Sequence, residues 1–141
     1  MLNSDFKEFA ELLDAQRVEY LVVDGDIDFW LRASPDNIGR VLSALEQFGF
    51  GSLGLKAEDF AGDSVIQLGH PPRRIDLMTV IDGVSFDDCF ARRERVELSG
   101  ITLPFIGLSD LKTNKQASGR LKDLADLEAL GWAPTAPDHK R

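Results

Sequence analysis

Apolar residues near the start of the chain recur at helical spacing. Phe6, Phe9, Ala10 and Leu13 share one helix face, and Ser4 can cap its first turn. The period then shortens. Tyr20-Leu21-Val22-Val23 reads as a strand, and so does Asp26-Ile27-Asp28-Phe29-Trp30-Leu31, whose odd-numbered positions are apolar. Asp24-Gly25 between them has the chemistry of a two-residue type I′ turn, so the simplest local structure is a hairpin. Ser34-Pro35 opens a second helix, with serine as cap and proline at the first helical position. Ile38, Val41, Leu42 and Leu45 form its buried face, and Gly49 can end it in the left-handed conformation.

The pattern is weak across 51–64, where glycine and acidic residues break up single apolar positions. Val65-Ile66-Gln67-Leu68 and Arg74-Ile75-Asp76-Leu77-Met78-Thr79-Val80 read as two more strands. A short helix fits Phe86–Arg93. Val96-Glu97-Leu98, the turn Ser99-Gly100 and Ile101-Thr102-Leu103 read as a second hairpin. Two helices follow, one from near Ser109 to Gly119 and one over roughly Leu121–Leu130. Strands interleaved with helices predict an α/β (α+β) domain: a small mixed sheet flanked by helices over residues 1–131. Residues 132–141, with prolines at 134 and 137, read as a loose tail.

Composition agrees with one globular domain. The 141 residues are 43% hydrophobic and 28% charged. No apolar run is long enough to span a bilayer, and the N-terminus lacks a basic-then-apolar signal pattern. The single cysteine, Cys89, leaves no internal disulfide, which points to a cytoplasmic home. A net charge of −8 argues against broad binding to duplex DNA, yet is compatible with carboxylates gathered around a cation.

Asp26 and Asp28 lie two apart on the second strand and therefore project together. Asp76 stands alone in an apolar strand, where a charge needs water, a partner or a metal. Two readings are open. Asp26 is ordinary turn chemistry and Asp76 pairs with Arg73, Arg74 or a distant arginine. Alternatively, the three carboxylates hold Mg²⁺ or Mn²⁺ for phosphoryl or nucleotidyl transfer, in which such ions neutralise a triphosphate and activate an attacking hydroxyl.

The succession of a helix, a Val-Val strand, Asp-Ile-Asp-Phe-Trp-Leu, a capped helix and Arg-Ile-Asp-Leu-Met resembles the bacterial minimal nucleotidyltransferases of the polymerase-beta superfamily. The likeness extends to their single-domain and abortive-infection toxin-type members. It runs from residue 4 to residue 131 and includes Lys115 and the run Gly119-Arg120-Leu121-Lys122-Asp123-Leu124-Ala125-Asp126-Leu127. The resemblance implies that Asp26, Asp28 and Asp76 bind the metals and that Asp76 helps deprotonate the acceptor hydroxyl. It sets Lys115 against the triphosphate of an NTP, with Asp123 positioning Lys115 or Arg120. The acceptor is then an RNA or protein hydroxyl. Read without the family, Lys115 is an exposed helix lysine, Asp123 and Asp126 are acids in a helix first turn, and Arg120 and Lys122 are surface charges.

One family feature is missing. Members carry Gly-Gly or Gly-Ser after the first strand, opening a short helix whose backbone amides approach the phosphates. Here Asp24-Gly25 leads directly to Asp26, about fifteen residues fewer than the family pattern. The expectation is therefore weak metal binding and impaired transfer, because positioning supplies most of the catalysis in this class. The alternative is a non-catalytic binding or regulatory module of the same fold, within a toxin–antitoxin pair.

Other chemistry is thin. His70 and His139 are far apart, and Cys89 has no partner at metal-ligand spacing; it reads as a packed residue. Arg92, Arg93 and Arg95 read as a solvated helix end, and Trp30 as a residue covered by a helix rather than a platform for a base.

Overall fold

The computed structural model describes residues 4–23, 28–63, 65–69 and 74–119. Within them the chain forms α1 (Ser4–Ala15), β1 (Tyr20–Val23), β2 (Asp28–Leu31), α2 (Pro35–Leu45), β3 (Val65–Leu68), β4 (Ile75–Met78), α3 (Phe86–Ala91), β5 (Glu94–Leu98), β6 (Ile101–Phe105) and α4 (Leu108–Ser118). The six strands make one mixed sheet in the order β3-β4-β2-β1-β6-β5. The α+β expectation is met.

Alternation along the strands separates two cores. Tyr20, Val22, Phe29, Leu31, Ile75, Leu77 and Leu103 face α1 and α2, where Phe6 stacks on Phe29 with ring centroids 4.8 Å apart. Leu21, Val23 and Trp30 face the other way, onto Cys89 and Phe86 of α3 and Leu111 of α4. Trp30 is buried, with its edge on Phe86 and its Nε1 donating to the Thr79 carbonyl at 3.1 Å. It is a packing residue, as expected, and offers no face to a base.

The first hairpin pairs differently from the two-residue turn reading. That reading sets Val23 opposite Asp26, whereas the ladder sets Val23 opposite Asp28 and Leu21 opposite Trp30. Four residues, 24–27, separate the paired ends instead of two. Packing decides this register. The shorter turn would place Asp28 against Leu21 in the middle of the sheet, while the observed one matches Leu21 with Trp30 and leaves the carboxylate at the sheet end. Asp24, Gly25 and Asp26 themselves lie outside the described residues. So do Arg120, Asp123, the helix expected over 121–130, both histidines and the 132–141 tail.

Elsewhere the boundaries shift modestly. The first helix includes Ser4 and runs on to Ala15. The second is capped by Ser34, whose side chain accepts from the Asn37 amide, and then widens into a π turn over Glu46–Phe50 with Gly49 at φ 103°. The unreadable 51–64 stretch holds two short 3₁₀ turns, Gly51–Leu53 and Ala57–Phe60. It is tied down by Thr79, whose hydroxyl donates to the Gly62 carbonyl at 2.8 Å.

Candidate functional site

β2 and β4 run parallel, with Asp28 beside Asp76, Phe29 beside Leu77 and Trp30 beside Met78. Because β1 and β3 flank this pair, one row across four strands reads Gln67, Asp76, Asp28, Val23. The next row on the same face reads Val65, Met78, Trp30, Leu21. The polar row therefore sits at the end of the sheet, one step from the apolar row that α3 and α4 cover. Gln67 belongs to the row although sequence reasoning passed over it; alternation within Val-Ile-Gln-Leu was the available signal.

Adjacent strands lie about 4.8 Å apart, so the two carboxylates are close neighbours on one face. Asp76 is buried and Asp28 half-buried. Like charges this close repel unless something compensates them. Arg74, just before β4, supplies compensation at Asp76. Its Nε lies 3.0 Å from Oδ1, and its Nη2 donates to Oδ2 at 3.3 Å. The Nε contact is an ion pair without hydrogen-bond alignment, for Asp76 Oδ1 is buried with no hydrogen-bond partner. The arginine partner foreseen for Asp76 is thus present, and the carboxylate still has an unsatisfied oxygen.

A divalent cation takes carboxylate oxygens and keeps its other positions for water or phosphate. Among the described residues, however, no group of three or more His, Cys, Asp or Glu side chains is arranged to hold a metal. The described carboxylates make a pair, and Asp26, the third expected member, is outside the described set.

Lys115 lies on α4 and is 3% exposed, so the surface-lysine reading does not hold. The far turn of α4 docks on the turn after β4. Asn114 Nδ2 donates to the Asp82 carbonyl at 2.9 Å, and Gly83, at φ 83°, lets Ala117 come so close that a Cβ there would sit 2.5 Å from the Ala117 methyl. α4 is thus held at both ends. At its start Arg92 grips buried Asp110 in a bidentate pair, Nε–Oδ2 3.1 Å and Nη2–Oδ1 2.9 Å.

The remaining candidates are structural. Burial, with Asp110 beside it, pushes the Cys89 thiol up to about 12, so the group stays protonated and is no nucleophile. Arg93 stacks over Phe90 at 4.0 Å. Arg32 links Glu19 to Asp87 and lies over Phe86. A shallow hollow of about 300 Å³ beside α1 is lined by Glu8, Glu11, Leu12, Gln47 and Phe48, and its two glutamates would repel a triphosphate. No helix among the described residues is long and apolar enough to cross a membrane. No protein-family model matches this chain, and neither a curated protein nor a solved structure is found to be similar to it.

Proposed function

We propose that the chain is a nucleotidyltransferase-type protein in which Asp28 and Asp76, with Asp26, hold Mg²⁺ or Mn²⁺ for an NTP. The reaction is attack of a hydroxyl of RNA or of a partner protein on the NTP α-phosphate, which breaks the α–β phosphoanhydride bond and releases pyrophosphate. The observation that supports it most is the pairing of Asp28 with a buried Asp76 whose Oδ1 lacks a hydrogen bond. A bound cation would supply phosphate neutralisation and make the attacking hydroxyl easier to deprotonate. The chain's own residues then have simple tasks. Asp28 and Asp76 would hold the cation, and Asp76, placed deeper, takes the hydroxyl proton. Lys115 keeps the role the resemblance gives it, adding positive charge from α4, and the resemblance gives Arg120 and Asp123 supporting roles. The sequence lacks the family's Gly-Gly or Gly-Ser segment, so turnover is slow.

A second reading has its own support. Arg74 already compensates Asp76, as a fold that has given up catalysis would arrange, and the chain is then a binding module for a partner protein of a toxin–antitoxin pair. Two measurements separate the readings. In the first, Mn²⁺ raises the melting temperature of the wild type and not of Asp28→Asn or Asp76→Asn. In the second, α-labelled NTPs are incubated with the chain, Mn²⁺ and total RNA or protein. Label in a macromolecule, lost in Asp76→Asn, supports the enzyme. Mn²⁺ binding without label supports the module, and no Mn²⁺ effect in any variant defeats the enzyme.

A further inference from the structure

We propose that β5, the outer strand Glu94–Leu98, pairs antiparallel with β5 of a second copy of this chain, joining two sheets across a two-fold axis at Val96. In that pairing Arg95 of each copy faces Glu97 of the other. Two strands, β1 and β6, separate β5 from the carboxylate pair, so the surface stands whatever that pair binds.

The hairpin decides which groups of β5 point outward. Among the described residues β5 pairs with β6 alone, and Ser99-Gly100 joins them with both residues at positive φ. Such a two-residue turn makes Leu98 and Ile101 a hydrogen-bonded pair. Hydrogen-bonded and non-hydrogen-bonded pairs then alternate along the ladder. Glu94, Val96 and Leu98 therefore turn their peptide groups toward β6, and Arg95 and Glu97 turn theirs toward the open edge. β6 agrees with this parity. Pro104, which has no amide hydrogen, lies opposite Arg95, and the Ile106 amide, two positions on, donates away from β5 to the Val22 carbonyl at 3.1 Å. The side chains of Arg95 and Glu97 are exposed, while Val96 and Leu98 are half-buried.

Charge then chooses one register. Two copies of β5 can hydrogen-bond only with outward-facing residues opposite one another. The two-fold registers that overlap three or more of the five positions are centred on Arg95, on Val96 or on Glu97. The first sets arginine against arginine and the last glutamate against glutamate, and both are destabilising. The register centred on Val96 overlaps all five positions. It sets Arg95 opposite Glu97 twice, exchanges backbone hydrogen bonds at both places and brings the two Val96 side chains together, with Glu94 opposite Leu98 at the ends. Charges on an outer strand ordinarily discourage pairing. Those of β5 discourage the two offset registers and favour the full one, because their signs are self-complementary about Val96. β3, the opposite outer strand, reads Val-Ile-Gln-Leu and has no charge with which to select a register.

The experiment follows the full chain by analytical ultracentrifugation over a range of concentrations. The wild type is expected to pass from monomer to dimer as concentration rises. Arg95→Glu and Glu97→Arg each turn both opposite-charge pairs into like-charge pairs, so either should weaken self-association about tenfold or more. Mixed together, the two variants should dimerise with each other at wild-type strength, because one then presents two acidic and the other two basic side chains at the facing positions. Both substitutions in one chain should restore self-association. These recoveries keep the test decisive should one variant fold poorly alone. Hydrogen exchange at high concentration should slow at the Arg95 and Glu97 amides, with those of β3 unchanged. A wild type still monomeric at about 1 mM overturns the pairing. So does a dimer that neither reversal weakens, which forms through another surface. Reversals that do not recover in the mixture, or exchange that slows in β3 and not in β5, overturn it as well.

Discussion

Arg17 occupies a position that glycine normally fills. α1 ends with the Val18 amide donating to the Leu13 carbonyl and the Arg17 amide to that of Asp14, a Schellman closure with Arg17 left-handed at φ 60°. A side chain in that conformation costs about 1 kcal/mol, so Arg17→Gly should raise unfolding stability by about that amount in urea titrations. Nearby, the chain's one tyrosine, Tyr20, donates to Asp14 Oδ1 at 3.0 Å from a buried site. Burial first, and then Asp14, raise the hydroxyl well above its ordinary 10.0. The folded state therefore keeps a proton that the unfolded chain releases. Its contribution to stability is complete below pH 10 and declines as pH rises further, a loss that Tyr20→Phe should abolish in alkaline unfolding curves. Asn37 makes the same point for hydrogen bonding. It lies in the first turn of α2 and is buried, accepts from the Glu19 amide and donates to the Glu19 and Arg32 carbonyls at 3.0 and 2.9 Å. No local signal announces that task, because its partners come from other elements.

Elements were legible where periodicity and punctuation agreed. Ser99-Gly100 joins β5 and β6 with both residues at positive φ, and Leu98 faces Ile101, as its turn chemistry implied. Ser34 caps α2, and left-handed Gly119 closes α4. Pairing was less legible. Asp24-Gly25 carried an equally good turn signal, yet the apolar match of Leu21 with Trp30 set the register by two residues. Turn preferences are worth a fraction of what burying a carboxylate among apolar side chains would cost. The seat of α4 was also invisible, since it depends on Gly83 lying against Ala117 and Thr113. Gly83→Ala combines a positive φ with a near collision, so it should destabilise the domain by about 2 kcal/mol or more. Hydrogen exchange should locate the loosening in α4, with α1 and α2 little changed.

At the scale of the molecule, one sheet serves two cores. Neighbouring residues Phe29 and Trp30 anchor opposite faces, so neither core can loosen without disturbing the strand shared by both. Unfolding should accordingly be a single transition. In a Trp132→Phe background, Trp30 fluorescence should coincide with helical circular dichroism across a urea titration, and separate midpoints would show that the faces unfold independently. The same strand carries the candidate site. Its alternation sends Phe29 and Leu31 to one core, and Trp30 to the other, and leaves Asp28 at the end of the sheet.

Element type, the α+β class, most helix and strand positions and the acidic residues worth following were all written in the amino-acid order, because period and turn chemistry are local. Which aspartates become neighbours was not. Asp28 and Asp76 meet because β2 and β4 pair in parallel, although 47 positions separate them in the chain. The uneven grip of Arg74, the burial of Lys115 and the place of Gln67 in the same row likewise belong to tertiary structure. Each depends on strand order and side-chain packing between distant segments, and those energies exist only once the segments are in contact.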